Sequence, residues 1–160
     1  SYTLPAGPYA YKAALDREWT ENYGEKGERD GANISYETDG DVSFYYDPRT
    51  HWVTSDEESE IVTVPGDFQS ELGCEEDWAP SCMRPWLQDK DGDGVFAWAT
   101  TEIPAGTWEF KVAHGLSWDE SYGTGGTADG GNLSITVPSD GARTTFIYDS
   151  ATHEVTATSS

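Results

Sequence analysis

Positive charge is what this 160-residue chain most lacks: 9 Lys plus Arg stand against 30 Asp plus Glu, a net charge of −21. Nucleic acid and anionic membrane surfaces both demand a basic face, so neither is expected as a partner. No apolar run approaches the length of a membrane span, and nothing at the N-terminus reads as a signal peptide. Cysteine is nearly absent too. The two present, Cys74 and Cys82, lie in one short polar loop, CEEDWAPSC (74–82), with no further Cys or His beside them to make a zinc site. One local disulfide, and with it an extracellular protein, is the reading. Helical periodicity is also nearly absent, with room for one turn at most in MRPWLQD (83–89). Aromatic residues, by contrast, are plentiful. At 13% of the chain, with seven Trp and nine Tyr, they exclude a disordered acidic tail, and the surplus carboxylates read as a solubilising surface.

The chain repeats itself. LPAGPYAYKAALDREWTENYG (4–24) returns as IPAGTWEFKVAHGLSWDESYG (103–123), DGANIS (30–35) as DGGNLS (129–134), and FYYDPRTHWVT (44–54) as FIYDSATHEVT (146–156). Self-similarity of this kind predicts two copies of one module. The second copy carries additional sequence before Ile103 that the first lacks. The expected organisation is therefore the C-terminal half of a first module over 1–55, an acidic linker over 56–60, and a complete second module over 61–160. The front half of the first module is expected from an upstream fragment or another chain.

Alternation of apolar and polar residues in YAYKAAL (9–15), VFAWAT (95–100), TWEFKVA (107–113), TTFIYD (144–149) and EVTATS (154–159) predicts short strands. Turn chemistry separates them at DKDGDG (89–94), PAG (104–106), GTGG (123–126) and PSDG (138–141). The expected fold is all-β, as immunoglobulin-like antiparallel β-sandwich modules in tandem.

Polar residues kept in both copies are candidates for function. Lys12 and Lys111 follow the same aromatic strand, Trp19 and Trp118 come next, and Asn33 and Asn132 follow. Such a set on neighbouring strands and loops can converge on one concave face. Aromatic faces stack on the apolar face of a pyranose ring, while Lys and Asn hydrogen-bond its hydroxyls.

The order strand, Lys, Trp, Asn is similar to that of starch- and glycogen-binding carbohydrate modules with an immunoglobulin-like sandwich. VTVPGDFQSELGCEEDWAPSCMRPWLQDKDGDGVF (62–96), with LPAG/IPAG, SWDESYG and GGNLSITV, resembles accessory modules of secreted pullulanases and amylases. It also resembles tandem domains of bacterial starch-binding surface proteins. The resemblance implies a secreted or cell-surface, non-catalytic module that binds starch, amylopectin and maltooligosaccharides. A loop Trp stacks beside the Lys–Trp–Asn set in the related glycogen-binding domains, and Trp78 stands where that residue would be. The implied site is Trp78, Lys111, Trp118 and Asn132 in the second module, with Lys12, Trp19 and Asn33 in the first.

Each of these residues has a purely structural reading as well. Trp118 can plug the end of a sandwich, Lys111 can pair with a carboxylate, and Asn132 can serve a turn after two glycines. Tyr122 is assigned to structure, its hydroxyl tying down the glycine-rich loop, and Trp86, Trp98 and Trp108 to packing. Asp89–Gly94 begins like a calcium loop, but Thr100 stands where the bidentate Glu belongs, so a charged turn is preferred and no metal is expected. His51 and His153 share one repeat position and His114 stands alone, which makes no triad. No enzyme and no cofactor are expected. The competing function is a structural spacer without ligand, with a calcium-dependent adhesion module as a third reading.

Overall fold

A computed structural model describes all 160 residues, which form two compact units, Ser1–Glu60 and Ile61–Ser160. The fold is all-β and antiparallel throughout, as its alternating pattern predicts.

The second unit is built from nine short strands: β9 (Val62–Thr63), β10 (Trp86–Leu87), β11 (Val95–Thr100), β12 (Gly106–Phe110), β13 (Val112–His114), β14 (Glu120–Tyr122), β15 (Leu133–Val137), β16 (Thr144–Asp149) and β17 (Val155–Ser159). They pair in the orders β10–β9–β13–β14, β11–β16–β17 and β12–β15. Period-two alternation decides which face is buried. On β16, Phe146 and Tyr148 are fully buried while Ile147 between them is exposed, and on β11 Phe96 and Trp98 point inward while Val95 is exposed. Register then sets Trp98 opposite Phe146, and their rings stack at 5.3 Å. Phe110 meets Phe146 edge-on at 5.0 Å, and Val62, Val64, Phe68, Leu87 and Ile103 complete the core. The one helical turn for which 83–89 had room does not form. Pro85 and Gln88 flank a two-residue strand, because Trp86 and Leu87 gain more from burial beside β9 than from a local turn. A single helical turn occurs instead at Ser70–Leu72, and tight turns through the left-handed residues Lys26 and Gly125 occur at Glu25–Gly27 and Thr124–Gly126.

The first unit comprises β1 (Tyr2–Thr3), β2 (Gly7–Tyr11), β3 (Ala13–Ala14), β4 (Asn22–Tyr23), β5 (Ile34–Thr38), β6 (Asp41–Val42), β7 (Phe44–Tyr46) and β8 (Val53–Ser55). They pair as β1–β6, β2–β5, β3–β4 and β7–β8. An aromatic cluster joins two of these pairs, with Phe44 against Tyr11 at 4.7 Å and against Tyr36 at 5.7 Å.

One device is repeated in both units. Tyr23 stacks flat on His51 at 4.0 Å, and His51 Nδ1 bonds the Tyr46 hydroxyl at 2.8 Å. Tyr122 stacks on His153 at 3.8 Å, and His153 Nδ1 bonds the Tyr148 hydroxyl at 2.8 Å. Next to each stacked Tyr the backbone must pass very close to another segment. A Cβ on Gly24 would lie 2.0 Å from the Ala32 carbonyl oxygen, and one on Gly123 would lie 2.1 Å from that of Gly131. The repeated Tyr-Gly pair and the lone histidine after the turn are thus one packing unit.

Two expectations follow. Gly123→Ala should destabilise the second unit by about 2–4 kcal/mol, a fall of roughly 10–20 °C in Tm by calorimetry, because backbone cannot yield to the new methyl. In the first unit the Tyr11 hydroxyl is buried, with the Ser55 and Thr54 side chains close to it. Burial pushes its pKa up to about 12, the charge of Glu58 adding to the rise and nearby Ser55 and Thr54 offsetting part of it. A raised folded pKa contributes stability that is present below the ordinary value of 10.0 and lost as pH climbs through about 12. Tyr11→Phe, which installs the residue found at the equivalent Phe110, should lose less stability than wild type across that window in denaturant titrations.

Candidate functional site

Four segments of the second unit converge at one end. The first, between β9 and β10, carries Trp78. It passes through the helical turn Ser70–Leu72, reverses at Gly73 with φ +87°, and is closed by the Cys74–Cys82 disulfide, whose Cα atoms are 6.0 Å apart. Fully buried Gln69 lies behind it. Its Oε1 accepts from the Gly66 and Ala79 amides at 3.2 and 2.8 Å, and its Nε2 donates to the Ala79 carbonyl at 2.9 Å. The Ser70 amide donates to Asp77 Oδ1 at 2.7 Å, and the Trp78 amide to the Gly66 carbonyl at 3.1 Å. Trp78 itself sits at φ +57°.

Lys111 is the residue between β12 and β13, its amide donating to the Pro65 carbonyl at 2.9 Å. Trp118 lies in the β13–β14 turn, after two left-handed residues, Gly115 and Leu116, and is 40% exposed. Asn132 precedes β15, and its Nδ2 donates to Glu109 Oε2 at 3.2 Å. Trp78, Lys111, Trp118 and Asn132 together line an open cavity of about 250 Å³. Trp78 and Lys111 are half-buried, and Trp118 and Asn132 are exposed. The cavity therefore offers two indoles, one ammonium donor and one amide to whatever enters it, with no cofactor-type ligand set among them.

The first-unit residues are disposed differently. Lys12 Nζ is 3.3 Å from Asn22 Oδ1, and Asn22 in turn donates to the Trp19 carbonyl and to Asp30. Trp19 is 71% exposed. Ala10 stands where Glu109 anchors Asn132, so Asn33 lacks that partner.

Trp86 and Trp98 are buried, and Trp108 packs against the core with its Nε1 donating to the Pro104 carbonyl at 2.9 Å. Tyr122 holds its loop through its ring on His153, whereas its hydroxyl donates to Glu120 at 2.8 Å. His114 is buried with Nε2 2.8 Å from the Tyr148 hydroxyl. In the acidic loop, ligand atoms of Asp89, Asp91 and Asp93 lie within 4.8 Å of one another. Asp89 accepts from the Gly92, Asp93 and Gly94 amides and Asp93 from Val95, which is the bonding of a capped turn. Sequence reasoning missed Gln69 and Glu109. Gln69 lies inside the 62–96 stretch and Glu109 inside the repeated strand, but neither residue type points to a site there, and both matter through contacts made across the fold.

Fold and site together define an all-β module with an aromatic-lined cavity. The sequence profile of the pullulanase X25 domain matches residues 1–53 and 61–155, and the chain belongs to that family. It is 33% identical over 158 residues to an amylopullulanase of Thermoanaerobacterium thermosulfurigenes, and 34% identical over 160 residues to one of Thermoanaerobacter thermohydrosulfuricus. Each alignment covers 95% of this chain but only 8% and 10% of the relative, so the chain spans about a tenth of the length of these proteins. A pullulanase from Bacillus acidopullulyticus shares the fold with a TM-score of 0.53 at 32% identity, over 62% of this chain and 11% of that one.

Exposure separates the tryptophans energetically. Trp86→Ala, at a side chain 1% exposed, should cost about 3–5 kcal/mol in chemical denaturation. Trp118→Ala should cost less than about 1 kcal/mol.

Proposed function

We propose that the second unit is a non-catalytic module that binds α-1,4-glucan chains of starch, amylopectin and maltooligosaccharides, in a secreted starch-degrading enzyme. The observation that carries this reading is the lining of one cavity by Trp78, Lys111, Trp118 and Asn132. Indole faces suit the apolar faces of glucose rings, and Lys111 and Asn132 suit their hydroxyls. The cavity is small beside drug-sized pockets of ~300–1,000 Å³, which fits about one or two sugar rings of a longer chain. None of its four lining residues is a carboxylate, and glycoside hydrolysis runs on a pair of them. Amylopullulanases and a pullulanase as relatives, matched over a small fraction of their length, support a starch context and a role beside a catalytic region. A neutral polymer also meets no electrostatic penalty at a chain of net charge −21.

The same reading covers the domain organisation. Strands β12 to β17 have sequence counterparts in β2 to β8, whereas β9 and β10 have none and β11 is represented only by β1, which pairs with β6 as the end of β11 does with β16. In the second unit β9 flanks β13 and β11 flanks β16. Residues 1–55 read as the back half of a first module, 56–60 as a linker, and 61–160 as a whole module.

One indole–sugar contact burying about 100 Å² contributes roughly 2.5 kcal/mol before ordering costs, so a single site should bind with Kd on the order of 10 μM to 1 mM. Electrophoresis through gels containing soluble starch, with maltoheptaose calorimetry, tests this. The expected result is retardation and one site per chain. Binding should fall about tenfold or more in Trp78→Ala and Trp118→Ala and stay unchanged in Trp19→Ala. No retardation of the folded wild type would leave the spacer function in its place.

A further inference from the structure

Trp78 is held in an unfavourable conformation. Its φ of +57° puts a bulky aromatic residue in the left-handed region, which such side chains enter rarely and keep only where the surroundings over-determine it. The Cys74–Cys82 bridge does not supply that constraint. It joins residues four positions to either side of Trp78, which limits how far the loop can spread but leaves the torsions at Trp78 to other contacts.

Those contacts come from Gln69. Its amide takes the Gly66 amide, the Ala79 amide and the Ala79 carbonyl, while the Gly66 carbonyl takes the Trp78 amide. The peptide after Trp78 is thereby fixed directly to the buried side chain, and the peptide before it to the carbonyl of Gly66, a residue the same side chain holds through its amide. A glutamine with no exposed surface is costly unless it is hydrogen-bonded, and here the backbone donates twice to its Oε1 and accepts from its Nε2. We infer that Gln69 is a positioning residue of the glucan site: it presets the Trp78 indole before ligand arrives, and the disulfide is secondary to it. Ligand then binds without the entropic cost of ordering that loop. For affinity the inference rests on the glucan-binding reading above; for loop order it stands independently.

The test uses the 160-residue chain with maltoheptaose as probe and follows both affinity and hydrogen exchange of the Ala79 amide. Gln69→Leu should speed that exchange and weaken binding about tenfold, the effect of losing buried hydrogen bonds. Cys74→Ser combined with Cys82→Ser should keep exchange slow and affinity within about twofold. Gln69→Glu supplies a pH signature. A neutral carboxyl offers the same one donor and one doubly accepting oxygen, so it should match wild type near about pH 5, burial having raised its pKa. Once ionised, near about pH 8, it should behave like Gln69→Leu. Slow exchange and full affinity in Gln69→Leu would overturn the inference, as would an equal loss in the disulfide variant. Should Gln69→Leu not fold, an absence of pH response in Gln69→Glu overturns it instead. If wild type binds no maltoheptaose, the glucan reading fails, and exchange alone decides the clamp: fast only without Gln69 supports it, equal in all variants refutes it.

Discussion

The hydroxyl of Tyr148 is the polar point on which the second unit depends. Fully buried on β16, it lies 2.8 Å from His114 Nε2 and 2.8 Å from His153 Nδ1. His114 ends β13, and His153 receives the ring of Tyr122 from β14. Both ends of the turn that carries Trp118 are therefore fastened to the same core tyrosine. The glycine-rich loop that follows is fastened in turn, because Gly123 passes the Gly131 carbonyl too closely for any side chain and the Thr124 amide bonds that carbonyl at 2.9 Å. Asn132 is the next residue. A hydrogen-bonded node inside an apolar core specifies one arrangement more sharply than apolar packing alone, since any alternative leaves buried polar groups unsatisfied.

The two units share this node and diverge around it. In the first, Tyr46, His51 and Tyr23 reproduce the stack and the hydrogen bond, but Leu15 occupies the position of His114. Asn22 replaces Ser121, and it is Asn22 that lies against Lys12. In the second unit Ser121 bonds Asp129 at 3.3 Å, as Asn22 bonds Asp30, but Lys111 lines the cavity. Repetition of Lys, Trp and Asn therefore does not by itself repeat the arrangement. The cavity also needs Trp78 from a segment with no counterpart in the first unit, together with the Glu109 anchor that Ala10 removes.

Strand identity was legible in the sequence because period-two alternation and turn residues are local signals, and the inward positions of Phe96, Trp98, Phe146 and Tyr148 follow directly from them. The disulfide was legible for the same reason, as it closes a loop too short for much choice. Repetition within one chain singled out Lys111, Trp118 and Asn132, and made His51 and His153 equivalent without saying why. Tertiary structure decided the rest. That Trp86 lies in a strand depends on β9, which lies far from it in sequence. Gln69, Glu109 and the histidine–tyrosine node act through partners across the fold, and no local pattern records such partners. The backbone conformation of Trp78 likewise depends on hydrogen bonds that exist only once Gly66, Gln69 and Ala79 have been brought together. Composition and periodicity determine which residues are buried and which meet water; the geometry of a site is set by long-range contacts that form only when the whole unit closes.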